Sequence, residues 1–158
     1  AELGLAYVEQ PLPAGDEEGL VEAARTAPVP VMLDESVKTA DDLERLLRTG
    51  APFLFHLKLA KLGGLDRLAA AAGRVRTAGH GFMVGQMNEG AAATAAAVAL
   101  AAALAPDFAE LYGADGLLDD PAGPLRYEAG RAIVGGPVGL GVDLVRPTRT
   151  LATSGETE

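Results

Sequence analysis

Three ionisable residues stand where apolar runs of the chain end, and their spacing is regular. Glu9 follows Ala6-Tyr-Val, Asp34 follows Val31-Met-Leu, and Lys58 lies inside the stretch FLFHLKLAKLGG that runs from Phe53 to Gly64. Successive separations are 25 and 24 residues, the size of one compact strand-and-helix repeat. Two carboxylates converging on one point make a hard-oxygen site suited to Mg²⁺, with Mn²⁺ as a substitute. An amine beside such a cation is disfavoured as an ammonium, which would leave it a usable base. Each residue alone also has a plain structural reading, with Glu9 and Asp34 as helix N-caps and Lys58 as their ion-pair partner. Three in register favour a site. A lysine within an apolar strand is costly unless something uses its charge.

The elements that must position these residues follow from periodicity. Along FLFHLK successive side chains face opposite sides, so Leu54, His56 and Lys58 share one face while Phe53, Phe55, Leu57 and Leu59 share the other. Strand-like runs occupy Leu5–Val8, Val29–Leu33, Phe53–Leu59, Phe82–Val84 and Ala109–Tyr112. Between them lie four helix-like segments. The first follows the acidic turn Asp16-Glu17-Glu18, and the second starts at Thr39-Ala-Asp-Asp, close to a capping box. The third runs from Gly63-Gly64 to Gly79, and the fourth is the alanine-rich Ala91–Leu104. Such alternation predicts a parallel sheet covered by helices. In a parallel α/β barrel the strand ends form the mouth where active sites sit. Beyond Tyr112 the pattern breaks, and Asp115–Arg146 reads as an extended tail with β-like pieces at Arg131–Val134 and Leu140–Val145. The final PTRTLATSGETE reads as disordered.

Composition narrows the function classes. A chain of 158 residues suits one domain, and 49% apolar content suits a packed core. A net charge of -9 without a basic cluster argues against nucleic acid or an anionic membrane as partner. Cysteine is absent, which excludes disulfides and thiolate chemistry and fits a cytoplasmic protein. The run GAAATAAAVALAAALA falls short of the ~20 residues of a membrane span and is stopped by Pro106, so it reads as a buried helix. The chain opens at Ala1 without Met, just before a strand, and reads as cut from something longer.

The series YVEQPL, VMLDES and HLKLAKLGG resembles the enolase superfamily, in its muconate-lactonizing subgroup, and GQMNEG and ELYGADGLLDDP resemble later strand ends of the same family. The resemblance implies an α/β fold, the C-terminal half (about strands four to eight) of an enolase-type (β/α) barrel. Residues 1–114 would be the partial barrel, 115–146 a tail returning to an N-terminal capping domain, and 147–158 a disordered end. Glu9 and Asp34 would then be two of three Mg²⁺ ligands, and Lys58 the acid/base on one face of the substrate. The implied chemistry is removal of a proton α to a carboxylate through an enediolate.

Other positions carry two readings each. His56 would line the pocket, or sit in the core as a hydrogen-bonded residue. Gln86, Asn88 and Glu89, at the mouth of the next strand, would touch substrate, although Asn88 could equally cap a helix. Glu110 matches an acidic position at the last strand end and could instead form a salt bridge. Lys61, three beyond Lys58, reads as the ion-pair partner of a nearby acid.

Departures from the family pattern matter too. The K-x-K pair and the strand-end Asp that the family carries upstream of E-Q-P are not matched here, so the isolated chain is expected to lack turnover. The chain is expected to form a homo-oligomer or to need the missing N-terminal half, which another chain would supply. The expected partner is a small carboxylate substrate. The run Ala109-Glu-Leu-Tyr-Gly-Ala-Asp lacks the D-x-D pair of dipeptide epimerases, which tilts the reading toward a muconate-like cycloisomerase or an N-acylamino-acid racemase. The rival reading is a non-catalytic truncated barrel serving as a binding or dimerisation module. A nucleotide-binding doubly wound fold is disfavoured, because no glycine-rich phosphate loop follows a strand.

Overall fold

The computed structural model describes residues 3–115, 117–123, 125–133 and 139–143. Five short strands, β1 (Val8–Glu9), β2 (Val31–Leu33), β3 (Phe53–Lys58), β4 (Gly81–Gly85) and β5 (Phe108–Ala109), pair in parallel and in chain order. Each strand thus neighbours its sequence successor, as in a barrel wall, whereas a doubly wound sheet reverses its strand order. The register sets Lys58 beside Gly85 and His56 beside Met83.

Helices α1 (Glu17–Thr26), α2 (Ala40–Leu47), α4 (Leu65–Thr77) and α5 (Ala91–Leu104) connect the strands. Their starts are chemically marked. Asp16 accepts from the Gly19 amide at 3.0 Å, and Thr39 and Asp42 form a reciprocal capping box. A single helical turn, α3 (Leu59–Leu62), ends at Gly63, whose φ of 84° suits a residue without a Cβ. The sequence reading extended the third strand through Leu59; the turn begins there instead, since Lys58 is its N-cap. The first strand is Val8–Glu9 and not Leu5–Val8, and it stops at Glu9 because Gln10 takes a left-handed φ of 37°. Likewise the last strand is Phe108–Ala109 and not Ala109–Tyr112.

Alternation divides the sheet into two faces with different jobs. Phe53, Phe55 and Leu57 join Val31, Leu33, Phe82 and Val84 in one buried cluster with the helix residues Leu20, Leu43, Leu46, Leu68 and Val75. Each large side chain buried there contributes about 1.5–3 kcal/mol. Ala97 and Ala101 bring α5 against the same cluster. On the other face Met32, His56 and Met83 are also buried. The sheet curls far enough that Tyr7, next to β1, meets Phe108 of β5 edge-on, with ring centroids 4.8 Å apart. The inner face is therefore filled below its mouth by its own side chains.

After β5 the described residues are tied down at several points. An antiparallel hairpin pairs β6 (Tyr127–Glu128) with β7 (Arg131–Ala132), turning on Ala129 and Gly130, both at positive φ. Tyr127 donates to the Leu111 carbonyl at 2.8 Å. Asp120 accepts from the Ala91 amide at the start of α5, capping a helix whose own N-cap, Gly90, has no side chain to do so. Residues 139–143 hold no strand, and the rest of the expected Leu140–Val145 piece lies outside the described residues, as does the 147–158 tail. Among the described residues no helix is long and apolar enough to cross a membrane.

Candidate active site

The C-terminal ends of the five strands surround a cavity of about 690 Å³, lined among others by Glu9, Asp34, Lys58, Gln86, Asn88 and Glu110. Lys58 closes β3, and its Nζ donates to Asp34 Oδ2 at 2.8 Å. Both side chains are nearly buried, at 8% and 12% exposure. Lys61 reaches the same carboxylate from the α3 turn and donates to Asp34 Oδ1 at 2.6 Å, the Asp34 carbonyl at 2.8 Å and the His56 carbonyl at 2.9 Å. Burial acts to raise the Asp34 carboxyl, but the hydrogen bonds from Lys58 and Lys61 outweigh it and hold it below the usual carboxylate range. Burial lowers the Lys61 ammonium, with Asp34 opposing.

Gln10 fixes the loop that carries Asp34. Its Oε1 accepts from the amides of Asp34 and Ser36 at 3.0 and 3.2 Å, while its Nε2 donates to Ser36 Oγ at 2.8 Å and the Leu12 carbonyl at 2.9 Å. This amide stitches the end of β1 to the end of β2, so that Glu9 and Asp34 hold a common position. Gln86, just past β4, is built in the same way. It accepts from Gly113 at 3.2 Å and donates to Glu89 Oε2 and Thr94 Oγ1 at 3.2 and 3.0 Å. Glu89 therefore braces Gln86. Asn88 is exposed at the mouth, and the N-cap position of α5 is Gly90 and not Asn88.

His56 lies two residues before Lys58 and is fully buried. Its Nδ1–H donates to Glu9 Oε1 at 2.9 Å, and Asp34 Oδ1 is 3.8 Å from the same nitrogen. On the opposite side Nε2 points toward Glu110 Oε2 at 3.7 Å and has no hydrogen-bond partner among the described residues. Burial, partly opposed by the Glu9 hydrogen bond, holds the imidazole below its ordinary pKa, so it is neutral near pH 7. The histidine thus lies below the cavity and bridges carboxylates from the two ends of the sheet. Burial, together with the negative charge of Glu9 and Glu110, also pushes the Tyr7 phenol up.

The donor set fits a divalent cation. Glu9, Asp34 and His56 each offer a ligand atom, and these atoms lie within 4.8 Å of one another. Glu9 keeps 35% of its side chain exposed, so the carboxylate can reach an ion arriving from the cavity. The sequence reading placed Glu9 and Asp34 here but missed Gln10, whose role shows only once β1 and β2 are paired. Asp120 and Gly85 were missed for the same reason: each acts on a partner more than two dozen residues away.

Comparison with known proteins gives the family of this fold. Residues 1–148 match the family model described as enolase C-terminal domain-like. The chain is 37% identical over 147 residues to muconate cycloisomerase 1 of Rhodococcus opacus, covering 89% of this chain and 39% of that enzyme. It is 36% identical over 132 residues to the L-Ala-D/L-Glu epimerase of Escherichia coli strain K12, covering 82% of this chain and 39% of that enzyme. The structure of muconate lactonizing enzyme from Klebsiella pneumoniae superposes with a TM-score of 0.84 at 32% identity, covering 90% of this chain and 41% of the other. The chain therefore spans about two fifths of the length of these relatives, and it belongs to the enolase C-terminal domain-like family as part of a (β/α) barrel.

Proposed function

We propose that the chain carries the C-terminal half of a Mg²⁺-dependent active site, one that removes a proton α to the carboxylate of a small substrate. The enzyme would be an isomerase of the muconate-cycloisomerase or N-acylamino-acid-racemase kind. One observation carries this reading: Glu9, Asp34 and Lys58, from three adjacent parallel strands, converge on one cavity, with Lys58 Nζ 2.8 Å from the Asp34 carboxylate. A Mg²⁺ or Mn²⁺ ion, when bound there, would hold the substrate carboxylate and neutralise the charge that develops as the proton leaves.

The chain's own residues do the rest. Lys58 takes up the α-proton at Nζ, with Met87 Sδ 4.0 Å away as a neighbouring wall. Lys61 keeps Asp34 in place when Lys58 turns from it to substrate, because it holds Oδ1 while Lys58 holds Oδ2. Gln86, Asn88 and Glu110 are set to contact the remainder of the substrate, and Glu89 acts through Gln86. Cycloisomerase and epimerase relatives match at nearly equal identity, so the tilt toward the former rests on the missing D-x-D pair between Ala109 and Asp115.

By itself the chain is expected to lack turnover, since the K-x-K pair and the third carboxylate of the family are not matched within it. Calorimetric titration with Mg²⁺ tests the site, comparing wild type with Glu9→Gln and Asp34→Asn. Equal binding by all three removes the metal reading. Deuterium uptake from D₂O at the α-carbon of N-acylamino acids or of muconolactone tests turnover. Robust uptake by the chain alone overturns the expected inactivity.

A further inference from the structure

We propose that His56 is a nitrogen ligand, through Nδ1, to the divalent cation that Glu9 and Asp34 would hold, with Glu110 accepting the hydrogen on Nε2. This deepens the proposed metal site and rests on it. Three observations support the assignment. The imidazole is fully buried, yet Nε2 has no partner, and a buried polar nitrogen left unpaired costs free energy. Nδ1 stands 2.9 Å from Glu9 Oε1 and 3.8 Å from Asp34 Oδ1, and one ligand atom from each of the three residues lies within 4.8 Å of the others, so a small closure brings them onto one ion. The third is the cradle. A Cβ at Gly85 would lie 1.7 Å from Nε2, so a glycine on β4 is what lets the ring sit across the sheet at this depth.

Proton bookkeeping links these observations. Without an ion, Nδ1 carries the hydrogen and gives it to Glu9, which leaves Nε2 as a bare lone pair facing the Glu110 carboxylate at 3.7 Å. Coordination through Nδ1 needs that lone pair free, so the ring exchanges its hydrogen with solvent and carries it on Nε2 instead. The ring remains neutral throughout. Nε2–H then points at Glu110, and a closure of under 1 Å makes the hydrogen bond. A metal-bound histidine usually gives its second N–H to a carboxylate in this way. One imidazole among the carboxylates shifts preference away from Mg²⁺ toward nitrogen-accepting ions such as Co²⁺ and Zn²⁺.

Pulsed electron paramagnetic resonance of the Mn²⁺-loaded wild-type chain provides a direct readout that no variant need survive. Coupling to one directly bound ¹⁴N, changing on ¹⁵N-histidine labelling, is expected. Affinities provide the second arm. His56→Gln should weaken Co²⁺ binding by about 10-fold or more with Mg²⁺ changed much less, and Glu110→Gln should weaken Co²⁺ by about 10-fold. Bound Mn²⁺ that depends on Glu9 and Asp34 but shows no nitrogen coupling overturns the His56 assignment and leaves the cation site standing. Metal binding that is absent, or indifferent to Glu9→Gln and Asp34→Asn, overturns both.

Discussion

His56 and Gly85 are mutually fitted: a Cβ added at position 85 would come within 1.7 Å of His56 Nε2. The two strands carrying them are adjacent and parallel, with His56 paired to Met83 and Lys58 paired to Gly85. A large ring on one strand therefore takes the space that the neighbour's missing side chain leaves open. Glycine here is a packing requirement, and its φ is not in the left-handed region.

The variant Gly85→Ala should accordingly destabilise by about 1–3 kcal/mol, because the ring is walled in and has no room to retreat. Gly85→Ala combined with His56→Ser should recover most of that loss, giving a coupling of about 1 kcal/mol or more in a double-mutant cycle. Glu9 tolerates losing the ring, since its carboxylate is partly in solvent. Additive effects in denaturant unfolding would show that the two residues do not share space.

The two lysines of HLKLAKLGG should separate cleanly. Lys61 spends its amine on three oxygens of the protein, two from Asp34 and one from His56. Removing it as Lys61→Met leaves a nearly buried carboxylate with less compensation, at a cost of about 3 kcal/mol. Lys58→Met leaves Asp34 still paired with Lys61 and keeps the apolar stem, so its cost should stay under about 1.5 kcal/mol. Thermal unfolding of both variants is the measurement. A larger loss for Lys58→Met would mean that Lys58 is the structural partner and Lys61 the freer amine.

Gln10 yields a third prediction, built on its left-handed φ of 37° and its four side-chain hydrogen bonds. Gln10→Ala keeps the strained backbone and strips partners from the amides of Asp34 and Ser36, which should cost about 2 kcal/mol. Gln10→Gly loses the same hydrogen bonds but relieves the backbone, and should be milder by about 1 kcal/mol. Urea unfolding distinguishes them. Equal loss in both would mean that the backbone at position 10 carries no strain.

Much of this architecture was legible in the sequence because it is periodic. The repeat from Glu9 to Asp34 to Lys58 marks three strand ends by spacing alone, and Thr39-Ala-Asp-Asp and Ala91–Leu104 read as helices from local chemistry alone. What stayed hidden depends on pairing across the sheet. His56 could be assigned to a face but not to Glu9 and Glu110, since only the curl of the sheet brings β1 and the end of β5 to either side of one ring. Nothing in the local sequence around Gly85 marks it as the residue that makes room for a ring on the neighbouring strand. Asp120 sat in a Gly- and Pro-rich stretch whose lack of period hid its partner at Ala91, 29 residues earlier.

That Asp120 contact sets a pH dependence. The carboxylate accepts from the backbone amides of Ala122 and Ala91, and these hydrogen bonds hold its pKa below the ordinary aspartate value. A carboxyl whose folded pKa is depressed contributes stability in full above its unfolded pKa, about 4, and loses it as pH falls through the lower folded value. Asp120→Asn keeps one acceptor oxygen but removes the charge at the positive end of α5. The variant should therefore be less stable than wild type at pH 7, with the gap narrowing steadily below about pH 4 as wild-type Asp120 becomes protonated. Chemical unfolding of both proteins between pH 7 and pH 3 measures that gap. A difference that stays constant across the range would mean that the Asp120 charge does not cap α5.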